Sequence, residues 1–174
     1  MPSQRSLPYV DPRAPQGPSR RAAGRLFATP LVLALELTVP YRLLVWRLTP
    51  ILMRLTGGHF ARLLPMPVGV IETRDARNGR RHRRCVLYFN DGKAIVVIPS
   101  KGGAAEDPHW YRNALAEPAV GFESRPFRAE PVAEEAEQRR LWELADAFFP
   151  ASVEYRRRAA VSGRTIPILR LLPR

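Results

Sequence analysis

The residues best suited to chemistry lie in the loop SKGG, residues 100–103, which follows the apolar run IVVI at residues 95–98. Two adjacent glycines allow backbone conformations in which successive N–H groups face one side, and the lysine adds a positive charge. Asp107 and Pro108 then predict the start of a helix, with Asp107 as the N-cap and Pro108 in the first turn. Because a helix N-terminus attracts anions, these features predict a site for phosphate or carboxylate. An ordinary turn explains the same glycines.

A second concentration of positive charge lies at residues 74–84, RDARNGRRHRR, where six of eleven residues are arginine. Like charges at this density repel one another unless they are solvated or bind anions. The whole chain has the same bias, since 28 Lys and Arg against 16 Asp and Glu give a net charge of +12. This balance favours an anionic partner: a nucleotide-like cofactor, nucleic acid or an acidic membrane surface.

Short strands joined by hairpins would position these two loops. Alternating and β-branched apolar residues predict five or six strands, and Asn90-Asp91-Gly92 and the residues near 124–126 predict hairpin turns. The predicted strands are residues 67–73, 85–89, 95–98, 119–124, 127–132 and 166–172. Helical spacing predicts helices at residues 107–117 and 134–149, and after Pro150 we expect another short helix at residues 151–160. Several short strands with few helices are typical of a small barrel.

The first 60 residues differ from the rest in composition. Residues 1–25 are rich in Pro, Arg, Ser and Gly, which predicts a disordered basic tail. Residues 26–60 are mostly apolar and predict a helical segment, but their longest uncharged run is about half of the roughly 20 residues that a spanning helix needs. If the helix continues in phase, Glu36, Arg47 and Arg54 share one face and leave a broad apolar face.

That apolar face has two interpretations. The helix packs on the barrel or on the second subunit of a homodimer, or it lies on a membrane surface through residues 26–56. We therefore expect a cytoplasmic protein, which in the second interpretation is held on the inner face of the cell membrane.

Cysteine and histidine predict no further chemistry. The single cysteine, Cys85, excludes an internal disulfide and is expected to be a buried, unreactive thiol. The three histidines, His59, His82 and His109, are scattered without the spacing of metal ligands, so we expect no metal site.

The stretch SKGGxxxxPxWYxN resembles the deazaflavin-dependent nitroreductase and quinone reductase family of split-barrel proteins. Ser100, Lys101, Gly102, Gly103, Pro108, Trp110, Tyr111 and Asn113 carry the resemblance. It extends from about residue 63 to residue 173 and ends in RTIPILRLLP. The resemblance implies an α+β fold, a small split β-barrel with flanking helices, in which residues 61–174 form the cofactor-binding domain. It also implies hydride transfer from reduced deazaflavin coenzyme F-420 to a quinone or nitro acceptor.

The resemblance also implies roles for individual residues. Ser100, Lys101 and the N–H groups of Gly102 and Gly103 would bind the phosphate and acidic tail of the coenzyme. Trp110 and Tyr111 would line its cleft, and Asn113 completes the matched stretch. Tyr155 matches a family tyrosine near the substrate. Tyr155 and Ser152 are therefore the candidate hydrogen-bond donors to the acceptor.

The arginine-rich run matches the family only in part. The corresponding family connection reads Gly-Arg-Lys/Arg-Ser-Gly and contacts the anionic part of the coenzyme. Arg77 and Gly79 match it, whereas Asp75, Ala76 and Asn78 depart from it. We infer that neighbouring side chains replace the lost contacts: those of Asn78, Arg80 and Arg81, with Arg83 as an alternative after a one-residue slip.

Three other functions are consistent with the same residues. One is an oxidoreductase of the same barrel type that binds FMN. Another is a membrane-associated protein that carries a cofactor without turnover. The third is nucleic-acid binding, with Tyr88 and Phe89 as stacking partners. We do not favour the third, because both aromatics lie in a predicted strand where at least one must face the core.

Overall fold

The computed structural model describes residues 9–14, residues 67–174 and the single positions 22, 29, 31, 48, 51 and 55. In this part of the chain the predicted α+β fold is confirmed: a small β-barrel is flanked by helices. The strands are β1 Val68–Arg74, β2 Arg81–Asp91, β3 Ala94–Val97, β4 Ala119–Phe122, β5 Arg125–Pro131 and β6 Leu169–Pro173. The helices are α1 His109–Ala116, α2 Glu135–Phe148 and α3 Ala151–Val161, and a 3-10 turn covers Lys101–Gly103.

The barrel is closed in the order β1-β2-β3-β6-β5-β4, and every pair of neighbouring strands is antiparallel. The pairing of Ile71 with Phe122 joins β1 to β4 and completes the circle. Both side chains are fully buried. Gly69 is required beside them, because a Cβ at this position would overlap the Phe122 ring. Alternate apolar residues of the strands thus fill a solid interior.

Strand β2 is longer than predicted, because it includes three arginines, Arg81, Arg83 and Arg84, that we placed in the preceding loop. Arg81 and Arg83 extend the ladder with β1, where Glu72 lies opposite Arg83. The Glu72 carboxylate accepts from Arg81 at 2.9 Å and lies 3.2 Å from Arg83, so it offsets their charge. Further along the strand, burial raises the pKa of Cys85 to about 11, in agreement with the predicted unreactive thiol.

Both predicted hairpins are present, with turns shifted by one or two residues. Asp91 pairs with Ala94, so the first turn is formed by Gly92 and Lys93. The second turn consists of Glu123 and Ser124, which have φ angles of 48° and 65°. The last strand, β6, begins at Leu169, three residues later than predicted.

Part of the predicted disordered tail is attached to the barrel. The N–H of Val10 donates to Asn90 Oδ1 at 2.9 Å, and the N–H of Asn90 donates to Val10 O at 2.8 Å. Val10 is 6% exposed and belongs to the core. Residues 9–14 therefore lie against the barrel, because the Val10 side chain and two hydrogen bonds to Asn90, one to its side chain and one from its backbone N–H, hold them there.

Most of the predicted apolar helix, residues 26–60, lies outside the described residues. At the described positions Leu48, Ile51 and Leu55 the backbone is helical, and these side chains are 43%, 51% and 76% exposed. Within the described part of the chain, no helix has the length and hydrophobicity that crossing a membrane requires.

Candidate functional site

The SKGG loop is a tight turn in a left-handed backbone conformation. Lys101, Gly102 and Gly103 have φ angles of 51°, 64° and 79°. The N–H of Gly103 donates to Ser100 O at 3.0 Å, and that of Ala104 donates to Lys101 O at 3.2 Å. The Gly103 N–H is therefore engaged within the turn, and its assignment to the coenzyme stays a prediction.

The loop packs directly against α3 through Gly103. A Cβ at this buried glycine would lie 2.5 Å from Tyr155 O and 2.7 Å from the Cβ of Arg158. Gly102 has no such neighbour, since a Cβ there would meet nothing within 4 Å. Of the two glycines, Gly103 thus sets the contact between the loop and the helix that carries Tyr155.

Arg164 holds the other side of this loop, a role that the sequence analysis missed. Its guanidinium, only 7% exposed, donates to the carboxylate of Asp107 at 2.8 Å. It also donates to three backbone carbonyl oxygens, those of Pro99, Ser100 and Ala104, at 2.5 to 3.1 Å. The only sequence feature that could have indicated this role is the position of Arg164 directly before the apolar run of the last strand.

This arrangement corrects the predicted start of helix α1. The helix begins at His109 with Pro108 as its N-cap, and no side chain caps it. Asp107 is not the cap, because its carboxylate is bound by Arg164. Lys101 extends towards the same segment, where its ammonium lies 3.7 Å from the exposed carboxylate of Glu106.

The loop between β1 and β2 is closed by two short side-chain turns. The N–H of Arg77 donates to Asp75 Oδ1 at 2.9 Å, and the N–H of Arg80 donates to Asn78 Oδ1 at 3.0 Å. Gly79, with φ of 68°, permits the reversal between them. Among the described residues, neither exposed guanidinium of this loop, Arg77 or Arg80, has an ion-pair partner.

Helix α1 contributes buried side chains rather than exposed ones. Trp110 and Tyr111 are 7% and 6% exposed, and their rings meet edge to face at 6.2 Å. Asn113 is 5% exposed, and its amide lies 3.5 Å from Thr73 Oγ1 on β1 and 3.3 Å from His109 Nδ1. These residues fix α1 to the barrel, and their contact with a coenzyme stays a prediction.

Two of the histidines that we described as scattered meet at one carboxylate. Asp75 Oδ2 lies 3.6 Å from His82 Nε2 and 3.4 Å from His109 Nε2. The two imidazole rings stand edge to face with centroids 5.4 Å apart. The N–H of Arg77 holds the pKa of Asp75 below its ordinary value, so this carboxylate is charged at neutral pH. The antiparallel pairing of β1 with β2 brings His82 to Asp75, and α1 adds His109, so the spacing of these residues in the sequence does not indicate the cluster.

The two candidate donors to the acceptor lie on α3. Tyr155 is 6% exposed and packs on Phe149 with ring centroids 5.8 Å apart. The hydroxyl of Ser152 donates to Asp146 Oδ1 at 2.5 Å, and Arg156 binds the other oxygen of that carboxylate. Ser152 is therefore engaged within the protein, and its role towards an acceptor stays a prediction.

A continuous series of contacts joins these elements on one flank of the barrel. His109 connects α1 to the loop of residues 75–80, and Arg164 connects the segment before α1 to the SKGG loop. Gly103 then joins that loop to α3 at Tyr155. The structure thus assembles the arginine loop, the SKGG loop and Tyr155. Arg81 is the exception, because it lies on β2 and pairs with Glu72.

The profile of one protein family, described as F420H(2)-dependent quinone reductase, matches residues 45–173. The chain belongs to this family. A Mycobacterium tuberculosis protein named as a candidate F420H(2)-dependent quinone reductase is 33% identical over 123 residues, which cover 68% of this chain and 98% of that protein. A second M. tuberculosis protein, an F420H(2)-dependent quinone reductase, is 30% identical over 107 residues, which cover 58% of this chain and 72% of its own length.

Solved structures show the same fold. The structure of an F420-H2 dependent reductase aligns with a TM-score of 0.53 and 24% identity, covering 60% of this chain and 93% of that one. A second structure, described as a domain-swapped dimer, gives a TM-score of 0.54 and 22% identity over 71% of this chain and 98% of its own. The expected barrel of the F420H(2)-dependent quinone reductase family is thereby confirmed.

Proposed function

We propose that this chain transfers a hydride from reduced coenzyme F-420 to a quinone. The observation that carries the proposal is the family match over residues 45–173, a range that includes both loops and helices α1 to α3. The FMN alternative gains no support, because the matched family is named for F-420. Nitro compounds stay a predicted second class of acceptor.

We assign the anionic part of the coenzyme to the arginine loop and to Lys101. Arg77 and Arg80 are exposed and have no acidic partner among the described residues, so their charge is available to a ligand. Lys101 adds a third charge, since its ammonium lies 3.7 Å from Glu106, a long contact to a side chain that is itself 74% exposed. Asn78, Gly79, Ser100 and Gly102 would shape the backbone around these cations.

The bound coenzyme would supply the hydride chemistry, which leaves binding, orientation and exclusion of water to the protein. The buried rings of Trp110, Tyr111 and Tyr155 belong to elements that flank the two loops, and we assign them to the apolar side of the cleft. Tyr155 is our first candidate for hydrogen bonding to the acceptor oxygen. Ser152 is the second, because only Tyr155 matches the tyrosine that the family carries near the substrate, and the Ser152 hydroxyl is bound to Asp146.

Removing the two free guanidiniums should weaken coenzyme binding. In the double variant Arg77→Gln/Arg80→Gln we expect the Kd for F-420, measured by fluorescence titration, to rise about tenfold or more, because charge-assisted hydrogen bonds of about 1.5–3 kcal/mol are lost. Oxidation of the reduced coenzyme by menadione should slow in parallel at subsaturating coenzyme.

The matched control removes the same charge elsewhere. Arg128→Gln/Arg139→Gln changes exposed arginines on β5 and α2, outside every contact described for the site, and should leave the Kd unchanged. Equal losses in both double variants would assign binding to net charge and not to the loop.

Tight FMN binding without a response to F-420 would overturn the proposed function, and F-420 binding without menadione reduction would indicate a carrier.

We also propose that the protein associates peripherally with anionic membranes through residues 26–56. Leu48, Ile51 and Leu55 are exposed at spacings of three and four residues, which place side chains on one face of a helix. A net charge of +12 would attract that face to acidic lipid. The homodimer suggested by the same apolar surface stays a prediction.

Membrane association can be tested in the full-length chain by flotation with liposomes containing anionic lipid. We expect the unaltered protein to float, and Leu48→Glu/Ile51→Glu/Leu55→Glu to remain largely in the lower fraction, because three charges would enter the lipid interface. Leu115→Glu alters an exposed leucine of α1, which is 45% exposed, and should float like the unaltered protein. Equal flotation of the triple variant would exclude this helix face as the contact.

A further inference from the structure

We infer that Asp75, His82 and His109, which converge between the loop of residues 75–80 and the first residue of α1, form a binding site for a divalent transition-metal ion such as Zn²⁺. The ligand atoms are one carboxylate oxygen and two imidazole nitrogens, and all three lie within 4.8 Å of one another. Imidazole and carboxylate are ligands that Zn²⁺ and its neighbours in the first transition series accept. This inference does not depend on the proposed reductase activity.

The distances match what a bound ion needs. Zinc bonds of about 2.0–2.1 Å at tetrahedral angles separate neighbouring ligand atoms by about 3.3–3.4 Å. Asp75 Oδ2 already lies 3.4 Å from His109 Nε2 and 3.6 Å from His82 Nε2. The two imidazole nitrogens lie within 4.8 Å of each other, so binding would require the two imidazoles to move closer together.

The nitrogen of His82 that faces the cluster is a second, independent indication. His82 Nε2 is buried and has no hydrogen-bond partner among the described residues. A buried polar atom without a partner is costly and calls for an explanation, such as a bound ion. His82 lies on β2 opposite Thr73, so the barrel fixes its position.

The second ring nitrogen of His109, Nδ1, has a neighbouring polar group, as the second nitrogen of a metal-binding histidine usually does. The side-chain amide nitrogen of Asn113, which is 5% exposed, lies 3.3 Å from His109 Nδ1. With its oxygen turned towards the ring, this amide would accept a hydrogen bond from Nδ1–H and leave Nε2 free to bind the ion. The side chain of His109 is 52% exposed, which gives an ion access from solvent and leaves room for water as a fourth ligand.

An ion at this position would join three elements: the end of β1, strand β2 and the start of α1. Because binding to the folded state alone stabilises that state, saturating Zn²⁺ should raise the melting temperature of the protein. A pair of ordinary Asp-His hydrogen bonds at the same cluster would leave the melting temperature unchanged by metal and chelator.

The test uses untagged full-length protein, freed of metal by chelator and titrated with Zn²⁺ by calorimetry. We expect one saturable site per chain, weakened at least tenfold in His82→Gln and in His109→Gln. His59→Gln, which removes the third histidine of the chain, is the matched control and should bind like the unaltered protein. Co²⁺ in place of Zn²⁺ should give visible absorption bands that both cluster variants lose.

Because His109 is half exposed on the first turn of a helix, its replacement should fold even if His82→Gln does not. The absence of saturable Zn²⁺ binding would overturn the inference. Unchanged affinity in His109→Gln, or an equal loss in His59→Gln, would overturn it as well. None of these measurements requires the coenzyme, so the outcome is separate from that of the proposed function.

Discussion

Replacing Gly103 with alanine is expected to lower the free energy of unfolding by about 2–4 kcal/mol, since overpacking and a left-handed φ each cost about 1–2 kcal/mol or more. The new Cβ would lie 2.5 Å from Tyr155 O and 2.7 Å from the Cβ of Arg158, at a residue whose φ is 79°. Neither neighbour can yield easily, because one is helix backbone and the other is the base of a side chain. Urea denaturation of the full chain measures the loss.

Gly102→Ala is the matched control for this change. Gly102 has a similar φ of 64°, but a Cβ there would meet nothing within 4 Å. Gly102→Ala should therefore lower the free energy of unfolding only by the cost of backbone strain, about 1 kcal/mol. If both variants lost the same free energy, the contact between the SKGG loop and α3 would not restrict residue 103.

Gly103→Ala should also weaken coenzyme binding if the proposed function holds. The variant must move either the loop that carries Lys101 or the helix that carries Tyr155. The Kd for F-420, measured at a temperature where the variant is folded, should therefore rise more in Gly103→Ala than in Gly102→Ala.

Arg164→Lys is the second substitution with a large expected effect, a loss of about 3 kcal/mol in the free energy of unfolding, because each buried polar group left without a partner costs about 1–3 kcal/mol. A single ammonium cannot reach the Asp107 carboxylate and three carbonyl oxygens that the planar guanidinium reaches together. Urea denaturation gives the loss, and hydrogen exchange should show faster opening at residues 99–107.

Arg157→Lys provides the comparison at the surface. Arg157 also binds a carboxylate through two nitrogens, that of Glu154 at 2.7 and 2.8 Å, but its side chain is 70% exposed. Exposed pairs contribute little, so we expect almost no change in stability. Equal effects of the two lysine substitutions would show that the bonds of Arg164 to the loop do not stabilise the fold.

The local sequence was sufficient for the main elements. Alternation of apolar residues located the strands to within a few residues, because a barrel strand must turn every second side chain inward. Helical spacing located α2 in the same way. The SKGG loop was recognisable because adjacent glycines with one lysine, followed by Trp-Tyr at a fixed distance, form a pattern that few other structures require.

Element ends were less predictable where a neighbouring strand decides them. Strand β2 extends back to Arg81 because β1 offers it a partner and Glu72 offsets its charge. Its arginines alone suggested a loop. Likewise, Asp107 has the residue type and position that are typical of an N-cap, but its carboxylate binds Arg164, 57 positions away. A buried guanidinium without a carboxylate would cost more free energy than an exposed helix start without a side-chain cap.

The sequence by itself determined the individual strands and helices, the family and the two basic segments, since each depends on residues that are neighbours in the chain. Only the tertiary structure decided that Gly103 abuts Tyr155, that Arg164 binds the SKGG loop and that two distant histidines share Asp75. These contacts form when strands and helices far apart in the chain pack together. The physical reason is that the sequence shows which groups a side chain can bind, whereas the fold determines which of those groups lies beside it.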